Sequence, residues 1–156
     1  VCRVYRKEQK EMKRILWITI VLILDQVTKF CVQSSASLPV TVIPGFFQIE
    51  YLKNTGAAWS MLSSKTALLT LVSAVAIGVM LWYLLTKKTT PVQETALCLM
   101  IAGAAGNFID RLCLSYVRDF LSFNIFGYPF PVFNIADCAL CIGVFLLFIC
   151  TMKEEK

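Results

Sequence analysis

Four apolar stretches, each about the length needed to cross a bilayer, dominate this chain of 156 residues, at 15–32, 67–85, 95–112 and 132–152. A spanning helix takes roughly 17–25 mostly apolar residues, because each residue rises about 1.5 Å through a hydrocarbon core about 30 Å thick. That core offers backbone N–H and C=O groups no water, so such segments must satisfy their own hydrogen bonds as helices. With 58% apolar residues and a mean hydropathy of +0.70, the chain is too hydrophobic for an ordinary soluble domain. The expected fold is a mainly α membrane protein with four transmembrane helices, and the length fits a single domain, 1–156.

The net charge of +5 is topological and does not mark a nucleic-acid surface. Arg3, Arg6, Lys7, Lys10, Lys13 and Arg14 precede the first stretch, Lys87 and Lys88 separate the second from the third, and Lys153 and Lys156 follow the fourth. Four spans put these three places on one side, which the positive-inside rule makes cytoplasmic. Both termini are then inside, and the 33–66 and 113–131 connections are outside. The first stretch is too long for a signal-peptide core and no small-residue cleavage site follows it, so it reads as a retained span.

The two outer connections differ in pattern. In the first, Val40, Val42 and the run 46–52 are β-branched or aromatic, broken by Pro44-Gly45 and Asn54-Thr55-Gly56. That predicts a small β element over about 38–62 on the outer surface. The second mixes aromatics with Gly127, Pro129 and Pro131 and suits an element at headgroup level. Ala102, Gly103, Ala105 and Gly106 give the third span a small-residue face open to close helix approach. Seven cysteines lie mostly within the spans and read as small buried hydrophobes; the Cys138-x-x-Cys141 pair lacks the βαβ setting of a redox motif.

Against this background, four aspartates stand out: Asp25, Asp110, Asp119 and Asp137. A carboxylate at the centre of a membrane helix costs on the order of 2.5–3.5 kcal/mol on insertion scales, so such residues mark function. Helical rise puts Asp25 roughly 15 Å from the inner edge, Asn107 and Asp110 roughly 18 and 22 Å, and Asp137 about 7 Å below the outer edge. Asp119 lies in the outer connection itself. All share the outer half, which favours one site. Spacing agrees: Asp25 and Lys29 are i,i+4, Asn107 with Asp110 i,i+3, Asn107 with Arg111 i,i+4, and Asn134 with Asp137 i,i+3. Asp25–Lys29 also reads as a neutralising ion pair, Asp110-Arg111 as an anchor at a helix end, and Asn134 as the N-cap of the fourth span.

The chain has no histidine, which excludes a Ser-His-Asp triad and an H-E-x-x-H zinc site. What remains for hydrolysis is a carboxylate pair or a Ser-Lys pair built from Ser60, Ser63 or Ser64 with Lys65. Two adjacent carboxylates share a proton, and so hold a general acid and a general base at neutral pH. From another class, a small ion or proton transporter or channel subunit also uses intramembrane carboxylates, but would place polar residues at several depths. Composition alone does not choose between Asp110 and Asp119 as partner for Asp137.

Five motifs carry a resemblance: DQVTK at 25–29, NTGAAWS at 54–60, GAAGNFIDR at 103–111, VRDF at 117–120 and FNIAD at 133–137. In order and spacing they resemble the bacterial lipoprotein signal peptidases, signal peptidase II, over about three-quarters of the chain. The resemblance implies an aspartic endopeptidase of the inner membrane, cleaving diacylglyceryl-modified prolipoproteins N-terminal to the lipidated cysteine, near the outer face. It implies Asp119 and Asp137 as the catalytic dyad. Asp25, Lys29, Asn54, Gly56, Asn107, Asp110, Arg111, Asn134 and Ala136 are implied to line or brace the site. It implies prolipoprotein and membrane lipid as partners, with no metal, cofactor, nucleic acid or obligate protein partner. Departures are Trp59 for the usual Phe, Ala104 where a Gly pair is common, Cys138 for a small residue, and Arg118 in a usually aliphatic place. Arg118 precedes Asp119, but neighbours in regular structure point different ways, so its direct influence there is expected to be weak. Asp137 sits near the positive end of its helix, which favours its ionised form and leaves the shared proton on Asp119.

Overall fold

A computed structural model of the chain describes residues 2–56 and 65–154. It contains four helices, α1 (Cys2–Ser34), α2 (Thr66–Thr86), α3 (Pro91–Leu114) and α4 (Ile135–Glu154), each with a segment long and apolar enough to cross a membrane. Between α1 and α2 run β1 (Val40–Ile43) and β2 (Phe47–Asn54); between α3 and α4 run β3 (Val117–Ile125) and β4 (Tyr128–Pro129).

Two boundaries differ from the sequence reading. α1 begins at Cys2, so its 33 residues span roughly 50 Å. The basic segment before residue 15 is a helical extension beyond the apolar core. α4 begins at Ile135 and not at 132, because Val132 and Phe133 belong to the strap tied to β3. Asp137 therefore lies in the first helical turn.

α3 is the central helix. Half of its most apolar window is buried within the protein, against 11%, 6% and 17% for α1, α2 and α4. The other three turn Ile20, Val27, Val75, Val79, Phe145 and similar side chains outward, as lipid contact requires. The small-residue face of α3 explains its centrality. A Cβ on Gly103 would collide with the Ala136 carbonyl and meet Leu140 Cγ at 2.9 Å; one on Gly106 would stand 2.5 Å from Asp25 Oδ2. Toward the other end of α3, Leu84, Leu97, Cys98 and Ile101 form a buried cluster with Ile18, Ile77 and Met80 against it. Thr90 starts α3 with a capping box, its hydroxyl accepting from Gln93 N–H and its own N–H donating to the Gln93 side chain, with Pro91 following. Glu94 in that first turn receives Lys10 at 2.5 Å and Arg14 at 2.8 Å, which ties α1 to α3 at this end.

The α1–α2 and α3–α4 connections form one antiparallel sheet of order β1-β2-β3-β4. The second connection adds to the element of the first: β3 is the partner of β2, with Leu52 opposite Asp119 and Asn54 opposite Val117. The alternation of Val117, Asp119 and Leu121 was masked by aromatics on both faces. Residues 57–62, the end of the expected β element, lie outside the described residues, as do Trp59, Ser60, Ser63 and Ser64. Stacked rings of Phe47, Phe123 and Phe133, at 4.5 and 5.6 Å between centroids, hold the sheet to the strap before α4. The cysteines also differ from expectation. Of the six described, only Cys98 is buried; Cys31, Cys113 and Cys141 lie on outward faces, where lipid replaces a protein core.

Candidate active site

β3 and α4 each bring one aspartate to the same cavity. Strand alternation turns Asp119 to one face of the sheet and Arg118 to the other. Phe133 then joins the two elements: its carbonyl accepts both Phe120 N–H (3.0 Å) and Leu121 N–H (2.8 Å), and its N–H donates to the Leu121 carbonyl. Asn134 follows at once and starts α4, so the first turn of that helix is held beside Asp119.

Three asparagines arrange the two carboxylates. Asn54 of β2 donates to Asp119 Oδ2 at 2.8 Å, and Asn134 donates to Asp119 Oδ1 at 2.6 Å. Asn107 of α3 donates to Asp137 Oδ1 at 2.7 Å. Asn134 is also the N-cap: its side-chain oxygen accepts Asp137 N–H at 3.0 Å, while Asp137 Oδ2 accepts Asn134 N–H at 3.1 Å. A second bond from Asn134 Nδ2 to Asn107 Oδ1 (3.1 Å) links the asparagines themselves. Asp119 is 2% exposed and Asn134 fully buried. Burial pushes the Asp119 carboxyl up to about 7; the Asn54 and Asn134 bonds oppose this, and the nearby Asp137 charge adds to it.

Behind the two aspartates lies a compact charged cluster. Lys29 Nζ contacts Asp25 Oδ2 at 2.9 Å, Asn107 Oδ1 at 2.9 Å and Asp110 Oδ2 at 3.4 Å. Asp25 reaches past Gly106 to accept the backbone N–H of Ala136 at 2.9 Å, in the first turn of α4. Ala136 is fully buried where the three helices meet. Arg118 grips Asp110 with Nη2–Oδ1 at 2.6 Å and Nε–Oδ2 at 3.2 Å. Asp110 is thus committed to the cluster while Asp119 faces the cavity. The cavity, about 590 Å³, is lined by Asn54, Asn107, Arg111, Asp119 and Asp137 at one end and by apolar side chains from Phe130 to Phe133 and along α4 to Ile142. Arg111 donates to the Gly56 carbonyl at 3.3 Å, and Gly56 N–H is held by Asn54 Oδ1 at 2.9 Å.

All eleven site residues expected from the sequence therefore come together, in two layers: Asn54, Asn107, Arg111, Asp119 and Asp137 on the cavity, with Asp25, Lys29, Gly56, Asp110, Asn134 and Ala136 behind or beside it. Sequence reasoning missed Gln26 and Gln33, whose side-chain oxygens accept from Arg118 at 2.9 and 3.1 Å. Their separation of two helical turns, which puts both on one face of a helix that runs past residue 32, was a usable signal.

Residues 17–153 match the model of the signal peptidase (SPase) II family. The lipoprotein signal peptidase of Staphylococcus haemolyticus is 40% identical over 155 residues, covering 93% of this chain and 98% of the relative. That of Staphylococcus carnosus is 42% identical over 145 residues, covering 90% and 91%. Two bacterial membrane enzymes solved by the in meso method, at 2.3 and 1.9 Å, superpose with TM-scores of 0.86 and 0.81. They are 37% and 38% identical, cover 92% and 90% of this chain, and are themselves covered to 90% and 93%. A four-helix membrane fold with two carboxylates on one cavity, and sequence identity of this extent, lead to one conclusion: the chain belongs to the signal peptidase II family.

Proposed function

We propose that this signal peptidase II cuts its prolipoprotein substrates with Asp119 and Asp137 acting as an aspartic dyad. The observation that carries the reading is their shared cavity, with Asn134 bonded to both. Asp137 is the base: at N3 of α4 it lies near the positive end of the helix dipole, which favours the carboxylate. Asp119, held near 7, is the acid. Asp137 takes a proton from water as the water oxygen bonds to the scissile carbonyl carbon, while Asp119 gives its proton to the carbonyl oxygen. Collapse of the resulting gem-diol breaks the C–N bond; the leaving nitrogen takes the proton from Asp137, and Asp119 regains one from a diol hydroxyl.

Orientation follows the positive-inside rule: both termini cytoplasmic, the sheet and the dyad near the outer face. The apolar end of the cavity, open along α4, suits the acyl chains of a diacylglyceryl-modified cysteine in the outer leaflet, with membrane lipid as neighbour. Asp25, Lys29, Asn54, Gly56, Asn107, Asp110, Arg111, Asn134 and Ala136 brace or line the site. The test is cleavage of a lipidated prolipoprotein by reconstituted protein. Asp119→Asn and Asp137→Asn are each expected to abolish cleavage while folding normally; unimpaired cleavage by either would falsify the dyad.

A further inference from the structure

Behind the dyad are four buried ionisable side chains whose charges cancel: Asp25 and Asp110 against Lys29 and Arg118. Arg118 is the member that joins the cluster to β3. Its grip on Asp110 is complete: the guanidinium takes both carboxylate oxygens and its own backbone N–H donates to Oδ2 at 2.9 Å. Two further donors go to Gln26 and Gln33 of α1. The residue next to Asp119 is thereby latched to α3 and α1 at once.

The consequence reaches Asp137 through Lys29. Lys29 divides its donors among Asp25, Asn107 and, at the longer distance of 3.4 Å, Asp110. Its bond to Asn107 Oδ1, with that from Asn134, fixes which way the Asn107 amide faces. The NH₂ end is left for Asp137. Without Arg118, Asp110 would be a buried carboxylate with Lys29 as its nearest cation, and Lys29 would be drawn from Asn107 toward it.

We propose that Arg118 is a positioning residue for the dyad: by neutralising Asp110 it leaves Lys29 to aim the Asn107 amide at Asp137, and it anchors the backbone that carries Asp119. The inference rests on the dyad reading, and Asp119→Asn and Asp137→Asn assayed alongside show separately whether that reading fails.

The experiment compares kcat and KM on a lipidated prolipopeptide for wild type, Arg118→Met, Arg118→Lys and the double variant Asp110→Asn/Arg118→Met. Arg118→Met is expected to lose roughly 100-fold in kcat with KM within about twofold, the cost of a misplaced catalytic group. Arg118→Lys keeps the charge but not the fork and should fall between. The double variant removes the uncompensated carboxylate and should regain about tenfold over Arg118→Met, although it has fewer contacts. A brace that acted only through its contacts gives no such recovery, so a double variant no better than Arg118→Met overturns the proposal. Wild-type kcat in Arg118→Met overturns it, as does a rise in KM alone. Should Arg118→Met not fold, a folded double variant within about tenfold of wild type supports the proposal, and an unfolded or inactive one overturns it.

Discussion

Asp25, on the first helix, accepts the backbone N–H of Ala136, on the last, at 2.9 Å. The bond passes the central helix at Gly106, and it satisfies one of the free N–H groups in the first turn of α4. The same carboxylate pairs with Lys29, so one side chain caps a helix, neutralises a buried cation and sets the position of Asp137 one residue on.

Removing that carboxylate leaves Lys29 buried with half its compensation. Asp25→Ala is expected to destabilise the protein by about 3–5 kcal/mol, the usual cost of breaking a buried pair. Asp25→Asn, which retains an oxygen for Ala136, should cost less. Thermal unfolding in detergent, with the two variants side by side, checks the order; equal losses would show that the α4 contact carries no weight.

Two glycines give opposite expectations. A methyl at Gly106 meets Asp25 Oδ2 at 2.5 Å and Ala136 Cβ at 3.1 Å, whereas one at Gly78 meets nothing within 4 Å. Gly106→Ala should therefore destabilise by about 1–3 kcal/mol and lower kcat, since it pushes Asp25 off α4. Gly78→Ala should be neutral or stabilise by up to about 1 kcal/mol through helix propensity. Unfolding midpoints and turnover of the two variants make the comparison.

Asp119 links activity and stability to pH. With its carboxyl held near 7, against an ordinary 3.8, the folded state binds the proton more tightly than the unfolded state. The stability this contributes is fully present below about 4 and is lost as pH rises through about 7. kcat is expected to fall on the same rise, because the acid is spent. Asp119→Asn should be inactive, and its melting temperature relative to wild type should climb between those two values. A difference that stays flat from pH 4 to pH 8 would contradict the assignment.

Asn134 caps α4 and bonds Asp119, so Asn134→Ala should lose in both currencies. The cap is worth about 0.5–2 kcal/mol. Freeing both carboxylates should lower kcat on the order of 100-fold, with KM little changed. Asn134→Asp, a good cap that places a third carboxylate at Asp119, should keep much of the stability and still lose the activity. Melting curves and steady-state kinetics separate the two effects.

Much of this was legible in one dimension. Span length and the shared helix faces of Asp25, Asn107 and Asp110 depend only on local helix geometry and on the cost of polar groups in lipid. Both the N-cap at Asn134 and the i,i+4 pairing of Asp25 with Lys29 follow from spacing alone, and the structure has both. Strand β3 was not legible, since aromatics occupy both faces of 117–125 and its pairing partner lies more than sixty residues away. Nor was the role of Arg118, whose partners come from α1 and α3.

What the sequence by itself determined was the class of fold, four helices and their polar residues gathered toward one side, because burial in lipid constrains each segment separately. Composition left Asp110 and Asp119 equal, the motifs pointed to Asp119, and the choice of which one lines the cavity beside Asp137 belonged to tertiary structure. The β2–β3 register turns Asp119 toward the cavity and Arg118 away from it, and Arg118 then closes over Asp110. That choice is a matter of which groups meet across the chain, and contacts of that range are set by packing at Gly103 and Gly106 and by strand register rather than by any local preference.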